Sequence, residues 1–134
     1  MQSSKISVYL EILSQTATVE ATLLFTNDDN KTSLLYRINS FISGTINNNL
    51  FIITSSDGNR VPYTGILMRR TPLTREDFIE LLPGETLTSR VTLNDAYRFF
   101  SGRHLYTAQY SAYDQSFERR GLFKMVSNEV NFEF

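Results

Sequence analysis

The sequence predicts a single all-β domain over residues 1–134, an immunoglobulin-like antiparallel β-sandwich of about eight or nine strands. Apolar residues alternate with polar ones in several short segments, turn-forming residues separate these segments, and helical periodicity is almost absent. A barrel is the alternative architecture, because it uses the same alternation.

The N-terminal third is predicted to form two strands, over residues 6–12 and 17–26, joined by a short link. Apolar residues occupy alternate positions in both, which gives each strand one buried face. The polar run at 27–30 predicts a turn, because Asn and Asp side chains bond to their own backbone. Residues 33–48 are less regular, and we expect a connection that packs five apolar side chains on the core: Leu34, Leu35, Ile38, Phe41 and Ile42.

The next segment is predicted to form a hairpin. A short apolar strand over residues 50–54 leads to Asp57 and Gly58, a dipeptide that is a strong hairpin signal. The return strand is predicted over residues 61–69, and Pro62 suits an edge position or the start of a strand.

Residues 78–93 carry the clearest pattern in the chain, a strand, a turn at Pro83 and Gly84, and a second strand. Proline presets φ at the first central position of the turn, and glycine supplies the positive φ needed at the second. This pattern predicts a second hairpin, preceded by a loop or a single helical turn at 73–77.

The C-terminal part is predicted to begin with a short helix near 94–100, capped by Asn94 and ended by Gly102. Strands are predicted over residues 104–113, 122–126 and 129–134, with a charged loop over 114–121.

The charge composition argues against one class of function, nucleic-acid binding. The net charge of −1, from 13 basic and 14 acidic residues, argues against a nucleic-acid partner, which favours a basic face. The arginine pairs at 69–70 and 119–120 do not change this, because neighbouring residues on a strand point to opposite faces.

Neither a membrane span nor a signal peptide is evident in the sequence, so we expect a soluble protein that is cytoplasmic or exported by a route without a classical signal. The chain has no cysteine and therefore no disulfide.

A family resemblance covers residues 57–134, and rests on four short motifs in order: Val61-Pro62-Tyr63-Thr64-Gly65, Leu82-Pro83-Gly84-Glu85, Leu93-Asn94-Asp95-Ala96-Tyr97 and Ser127-Asn128-Glu129-Val130. This run resembles the N-terminal β-sandwich domain that precedes the catalytic domain in bacterial peptidyl-Lys metalloendopeptidases of the deuterolysin-like clan. The zinc ligands of that family lie in the following domain, on a His-Glu-x-x-His helix. The resemblance therefore implies a non-catalytic accessory domain with a structural or substrate-guiding role.

We accordingly expect no enzyme activity, no cofactor and no metal. His104 is the single histidine, and one histidine without cysteine cannot supply the usual zinc ligand set. It also lacks the surroundings of a serine-hydrolase site. The acidic turn at 27–30 offers oxygen atoms for calcium, but it lacks the alternating spacing of a known calcium loop, so a turn that bonds to itself is favoured.

Two groups of residues are candidates for binding. Tyr106 and Tyr110 share one face of a strand with small alanines, and would form a flat stacking platform if that face were outward. The alternative is that the face packs inward, with one tyrosine hydroxyl bonded to the backbone. The charged loops supply the second group, since binding residues are often found on loops between rigid strands: Arg75, Glu76, Asp77, Arg119 and Arg120.

The leading functional hypothesis is a protein-binding module that contacts a protease or its substrate through loops or a sheet edge, in the manner of a protease inhibitor. A lectin-like protein that binds a glycan is the second hypothesis, motivated by the tyrosines and the polar loops. A self-assembling homo-oligomeric subunit is the third, since edge strands can pair between chains.

Overall fold

The computed structural model describes residues 2–3, 5–68, 74–115 and 122–134, and β-strands dominate them. The elements in chain order are β1 Gln2–Ser3, β2 Ile6–Ser14, β3 Val19–Asn27, β4 Ser33–Tyr36, α1 Arg37–Ser40, β5 Phe51–Ser55, β6 Phe78–Leu81, β7 Thr86–Thr92, β8 Leu105–Gln115, β9 Leu122–Val126 and β10 Val130–Glu133. Two single 3₁₀ turns, Arg75–Asp77 and Leu93–Asp95, precede β6 and follow β7.

The strands form two main sheets and a short pair. In one sheet the long strand β8 pairs with β5, β9 and β10, and β1 joins the edge of β9 in parallel. The second sheet has the order β2-β3-β7, and β4 pairs with β6. Apart from the β1–β9 pair, every one of these strand pairs is antiparallel. The prediction of an all-β, antiparallel fold is therefore confirmed.

The core lies between the inner faces of the two main sheets. Alternate residues of β3 and β8 are buried there, and the rings of Phe25 and Tyr110 meet edge to face with their centroids 5.6 Å apart. The outward positions of the same strands are mostly polar, with Leu24, Leu105 and Tyr113 as exceptions. This is the alternation on which the predicted strands of the N-terminal third depended.

The pattern over residues 78–93 is not a hairpin, although the turn and both strands are present. Glu85 N–H donates to Leu82 O at 2.9 Å, and Gly84 has a φ of +78°, as predicted for the turn. However, β6 pairs with β4, and β7 pairs with β3. The physical reason is the buried Asn27, whose amide donates to the carbonyl oxygens of Lys31 and Leu81 at 2.8 Å each. The Asn27 N–H also donates to Glu85 O, and the Asn27 carbonyl oxygen accepts from Gly84 N–H. Asn27 therefore holds the turn at the point where the β4–β6 pair and the β3–β7 pair diverge.

Two further elements differ from the sequence prediction. Residues 61–68 form no strand, and residues 69–70 lie outside the described part of the chain. The helix predicted near 94–100 is only the 3₁₀ turn Leu93–Asp95. Instead of capping a helix, the Asn94 side chain accepts from Val19 N–H at 2.9 Å and donates to Ala17 O at 3.0 Å, which fastens the turn to the start of β3.

The irregular region 33–48 contains the short strand β4 and the single turn α1, neither of which the sequence indicated. Leu35 and Phe41 are buried as expected, whereas Ile42 is 40% exposed. The strand β8 continues through Asp114 and Gln115, which were predicted to begin a loop. Within the described residues, no helix has both the length and the apolar character needed to cross a membrane.

Candidate binding loop

Residues 61–68, here named the edge loop, follow the turn that ends β5. Ser55 O accepts from Gly58 N–H at 2.9 Å, and Ser55 N–H donates to Asn59 O at 2.9 Å. Gly58 has a φ of +90°, which the predicted Asp-Gly turn requires. The hydroxyl of Ser55, which donates to Asp57, is the main cause that lowers the pKa of Asp57 from its ordinary value of 3.8. The turn therefore reverses the chain and directs the edge loop back along β5.

Three backbone hydrogen bonds donated by the edge loop, and a fourth that Pro62 O accepts from Arg98 N–H at 3.0 Å, fix the loop to its surroundings. Val61 N–H donates to Ile53 O on β5 at 2.8 Å, and Thr64 N–H donates to Ala96 O beyond β7 at 2.7 Å. Near its end, Met68 N–H donates to Asn47 O at 3.0 Å. Since these acceptors belong to three separate segments, the loop is held against the body of the protein along its whole length.

A tyrosine pair forms the central anchor of the edge loop. The rings of Tyr63 and Tyr97 lie 5.1 Å apart, edge to face, and their backbones form an isolated β-bridge. The buried Tyr97 hydroxyl accepts from Phe51 N–H at 3.0 Å and donates to Asn49 Oδ1 at 2.8 Å. Burial raises the pKa of Tyr97 well above its ordinary value of 10.0, and burial also raises the pKa of Tyr63. Both phenols therefore stay neutral and act as packing and hydrogen-bonding groups.

Gly65 lets the chain pass close to that anchor. A Cβ atom at this position would lie 2.8 Å from the Tyr63 hydroxyl oxygen and 2.9 Å from the Ala96 Cβ. Both distances are shorter than van der Waals contact allows. The Tyr63 hydroxyl also donates to Ile66 O, so the ring cannot simply swing away. Gly65 is thus required by the close approach of the backbone to Tyr63 and Ala96.

Those three residues present apolar side chains to solvent. Ile66 is 61% exposed, Leu67 is 69% exposed and Met68 is 47% exposed. Single exposed apolar residues are normal on a protein surface, but three in succession on an anchored segment form a local apolar patch. The sequence prediction missed this patch because residues 61–69 were assigned to a strand. The absence of alternation in Ile-Leu-Met was the signal available.

Two of the charged residues that were predicted to bind, Arg75 and Asp77, are engaged with neighbouring side chains or backbone. Arg75 Nη2 lies 2.5 Å from Glu80 Oε1, and both side chains are more than half exposed. Asp77 accepts from Thr74 N–H at 2.8 Å and from the Thr74 hydroxyl at 3.3 Å. Glu76 is exposed on the same 3₁₀ turn. Arg119 and Arg120 lie outside the described residues.

The two tyrosines proposed as a stacking platform face inward, which corrects that prediction. Tyr106 is 2% exposed and Tyr110 is fully buried, because their face of β8 packs against the second sheet. The Tyr110 hydroxyl donates to the backbone oxygen of Asn39 at 2.6 Å. This matches the alternative in which the face packs inward and one tyrosine hydroxyl bonds to the backbone. Neither ring is available to a ligand.

No metal site is formed by the described residues, where no three His, Cys, Asp or Glu side chains cluster. His104 lies beside the loop that precedes β8, with its Nε2 atom 2.6 Å from Ser101 O.

Comparisons of the chain with protein-family models and with curated proteins find no match.

Proposed function

We propose that this protein is a non-catalytic protein-binding module and that the edge loop is its contact surface. The observation that carries the proposal is the succession of exposed apolar side chains at Ile66, Leu67 and Met68 on a segment fixed at both ends. A loop held by a rigid scaffold loses little conformational freedom when it binds, and this favours affinity.

The size of the effect can be judged from the area available. Full burial of a Leu or Ile side chain contributes about 1.5–3 kcal/mol relative to full exposure. Ile66 and Leu67 are more than half exposed, so each has about 1–2 kcal/mol to gain in an apolar pocket. Together they account for about 2–4 kcal/mol, a factor of about 30–700 in affinity. A partner with a narrow apolar cleft fits these side chains best.

The proposed partner is a protease or a protease substrate, with inhibition as the mode of action. The support is the resemblance of residues 57–134 to the accessory domain of peptidyl-Lys metalloendopeptidases, whose first motif, Val61-Pro62-Tyr63-Thr64-Gly65, belongs to the edge loop. We also propose that the sandwich is immunoglobulin-like. The order β2-β3-β7, opposite a sheet in which β8 is flanked by β5 and β10, supports that assignment.

An inhibition assay tests the proposal. The chain is titrated against a panel of metallo-, cysteine and serine proteases, and saturable inhibition of one class is expected. The double variant Ile66→Ser with Leu67→Ser should raise the inhibition constant at least about tenfold. Absence of inhibition in every class contradicts the protease assignment.

Matched controls separate binding from folding. Leu82→Ser with Leu105→Ser removes two side chains that are each 56% exposed and lie outside the edge loop. This variant should inhibit as well as the natural chain, and thermal melting should give similar midpoints for both double variants. Equal loss of inhibition in the two variants would show that the edge loop has no special role.

Self-assembly is the second candidate, because β7 pairs with β3 on one side and with no second strand among the described residues. Such an edge can accept a strand from another copy. Sedimentation that finds a dimer disrupted by Thr88→Pro, and no protease inhibition, would favour this reading. The lectin hypothesis loses one of the two observations that motivated it, since Tyr106 and Tyr110 are buried, and keeps only the polar loops.

A further inference from the structure

A cleft of about 510 Å³ opens where three segments of the chain meet. The segments are the end of β2 with the turn after it, the connection that leads into β8, and the end of β10. Small-molecule sites commonly occupy about 300–1,000 Å³, so the volume suits a ligand the size of an amino acid or a short peptide end. This end cleft shares no residue with the edge loop.

Aromatic rings form the apolar wall of the end cleft. The Phe99 ring centroid lies 5.2 Å from that of Phe134 and 5.1 Å from that of Tyr106. Phe100 is stacked on Tyr106 at 6.4 Å. Phe99, Phe100 and Phe134 are half-buried, so they are held by their neighbours and still line the opening. A preformed aromatic wall favours an apolar side chain on the ligand.

Arg103 gives the end cleft a cationic group whose N–H donors are only partly used by neighbouring residues. Its Nε atom donates to Glu133 Oε1 at 2.6 Å, and its side chain is 77% exposed. Within the described part of the chain its two Nη groups have no hydrogen-bond partner. Guanidinium groups pair with carboxylates through two parallel N–H bonds, and such charge-assisted bonds are stronger than neutral ones.

The geometry points to a binding site for a carboxylate that carries an aromatic or branched apolar side chain. The carboxylate pairs with the Nη groups of Arg103, and the apolar side chain packs on the ring of Phe100. Glu133 stays on Nε and repels the incoming carboxylate, so it limits affinity. The C-terminal residue of a peptide and a free aromatic acid share this chemistry.

Isothermal titration and ¹⁵N–¹H NMR with defined probes test the site. N-acetylphenylalanine should bind saturably and perturb the amide signals of Gln15, Thr16 and Arg103. N-acetylphenylalaninamide, which lacks the charge, should bind at least about tenfold more weakly. A pentapeptide that ends in free phenylalanine distinguishes the two sources, because a peptide-end site binds it more tightly than it binds the free acid.

Two substitutions with opposite expected signs make the test decisive. Arg103→Gln should weaken binding of N-acetylphenylalanine at least about tenfold, whereas Glu133→Gln should strengthen it a few-fold by removing the repelling charge. Arg37→Gln, an exposed arginine on α1, is the matched control and should change nothing. Thermal melting shows that each variant is folded, which is expected because the Arg103 side chain is 77% exposed and the Glu133 side chain is about half exposed.

Three results would overturn the inference. The first is no saturable binding of any carboxylate probe up to about 10 mM. The second is equal affinity for the acid and its amide, which removes the carboxylate from recognition. The third is unchanged affinity in Arg103→Gln while the variant remains folded, which removes the arginine.

Discussion

The edge loop and the charged turn at 74–77 are both exposed connections, but they are held in different ways. The edge loop is fixed by backbone hydrogen bonds to Ile53, Ala96 and Asn47 and by a tyrosine pair. The exposed apolar side chains of residues 66–68 are therefore not needed to hold the loop in place. The charged turn is fixed largely by side chains, through Asp77 with Thr74 inside the turn and Arg75 with Glu80 on β6.

The comparison teaches that exposure and charge alone are poor guides to a binding surface. A charged side chain in a tight turn is commonly used to satisfy the backbone or a neighbouring charge. An apolar side chain has no such use on the surface, so its exposure on an anchored loop needs another explanation. Four substitutions examine this difference: one in the edge loop, one at its anchor Tyr97, and two in the turn.

Gly65→Val should have the largest effect, because three new carbon atoms enter a space where even one does not fit. We expect the free energy of unfolding to fall by about 3 kcal/mol, as for overpacking in a core. Urea denaturation followed by circular dichroism measures the change.

The control for Gly65→Val is Gly84→Asn. Gly84 has a positive φ, which asparagine tolerates, and no atom lies within 4 Å of where its Cβ would be. A stability loss below about 1 kcal/mol is expected for this control. If Gly65→Val proved equally mild, the edge loop would be less firmly held than its contacts indicate.

Tyr97→Phe should have the next largest effect. It removes the hydroxyl that accepts from the buried Phe51 N–H and donates to Asn49. An unsatisfied buried donor costs about 1–3 kcal/mol, so a loss of about 2 kcal/mol is expected in the same denaturation experiment. Tyr9→Phe, at a tyrosine that is 53% exposed, is the matched control and should be neutral.

Alkaline pH should reproduce part of this effect without mutation. Burial raises the pKa of Tyr97 in the folded protein above its ordinary value of 10.0. The unfolded chain therefore loses its proton first, and the stability from the neutral phenol is complete below about pH 10 and declines as pH rises further. Denaturation between pH 8 and about pH 11 should show a steeper loss for the natural chain than for Tyr97→Phe. Parallel curves would contradict the assigned role of this phenol.

Local patterns in the sequence were sufficient to predict most strands, because alternation and turn residues act over a few neighbours. They did not predict pairing. The strands on either side of Pro83 and Gly84 join different partners because of Asn27, which lies far from them in the sequence. Asn94 likewise bonds to Ala17 and Val19 instead of capping a helix.

The candidate sites follow the same rule. The sequence correctly predicted that Tyr106 and Tyr110 share one face of β8. Whether that face is buried depends on the opposite sheet, which the local sequence pattern does not indicate. The edge loop was hidden because Tyr63, Gly65 and Tyr97 form its anchor only after residues 61–68 return along β5.

In the charged turn, Asp77→Ala should have a moderate effect. It removes the carboxylate that accepts from Thr74 N–H and from the Thr74 hydroxyl, so a loss of about 1 kcal/mol is expected, as for other capping residues. Asp77→Asn keeps one acceptor oxygen and should recover more than half of the stability. An equal loss in both variants would assign the effect to charge alone.

Arg75→Gln should have the smallest effect, because the ion pair with Glu80 is largely exposed and water screens it. The expected change in the free energy of unfolding is below about 0.5 kcal/mol, and it should vanish in about 1 M salt. Protease inhibition by this variant should be unchanged if the edge loop is the contact surface. Strong loss of inhibition in a fully stable Arg75→Gln chain would move the binding surface from the apolar loop to the charged turn and reverse the comparison between them.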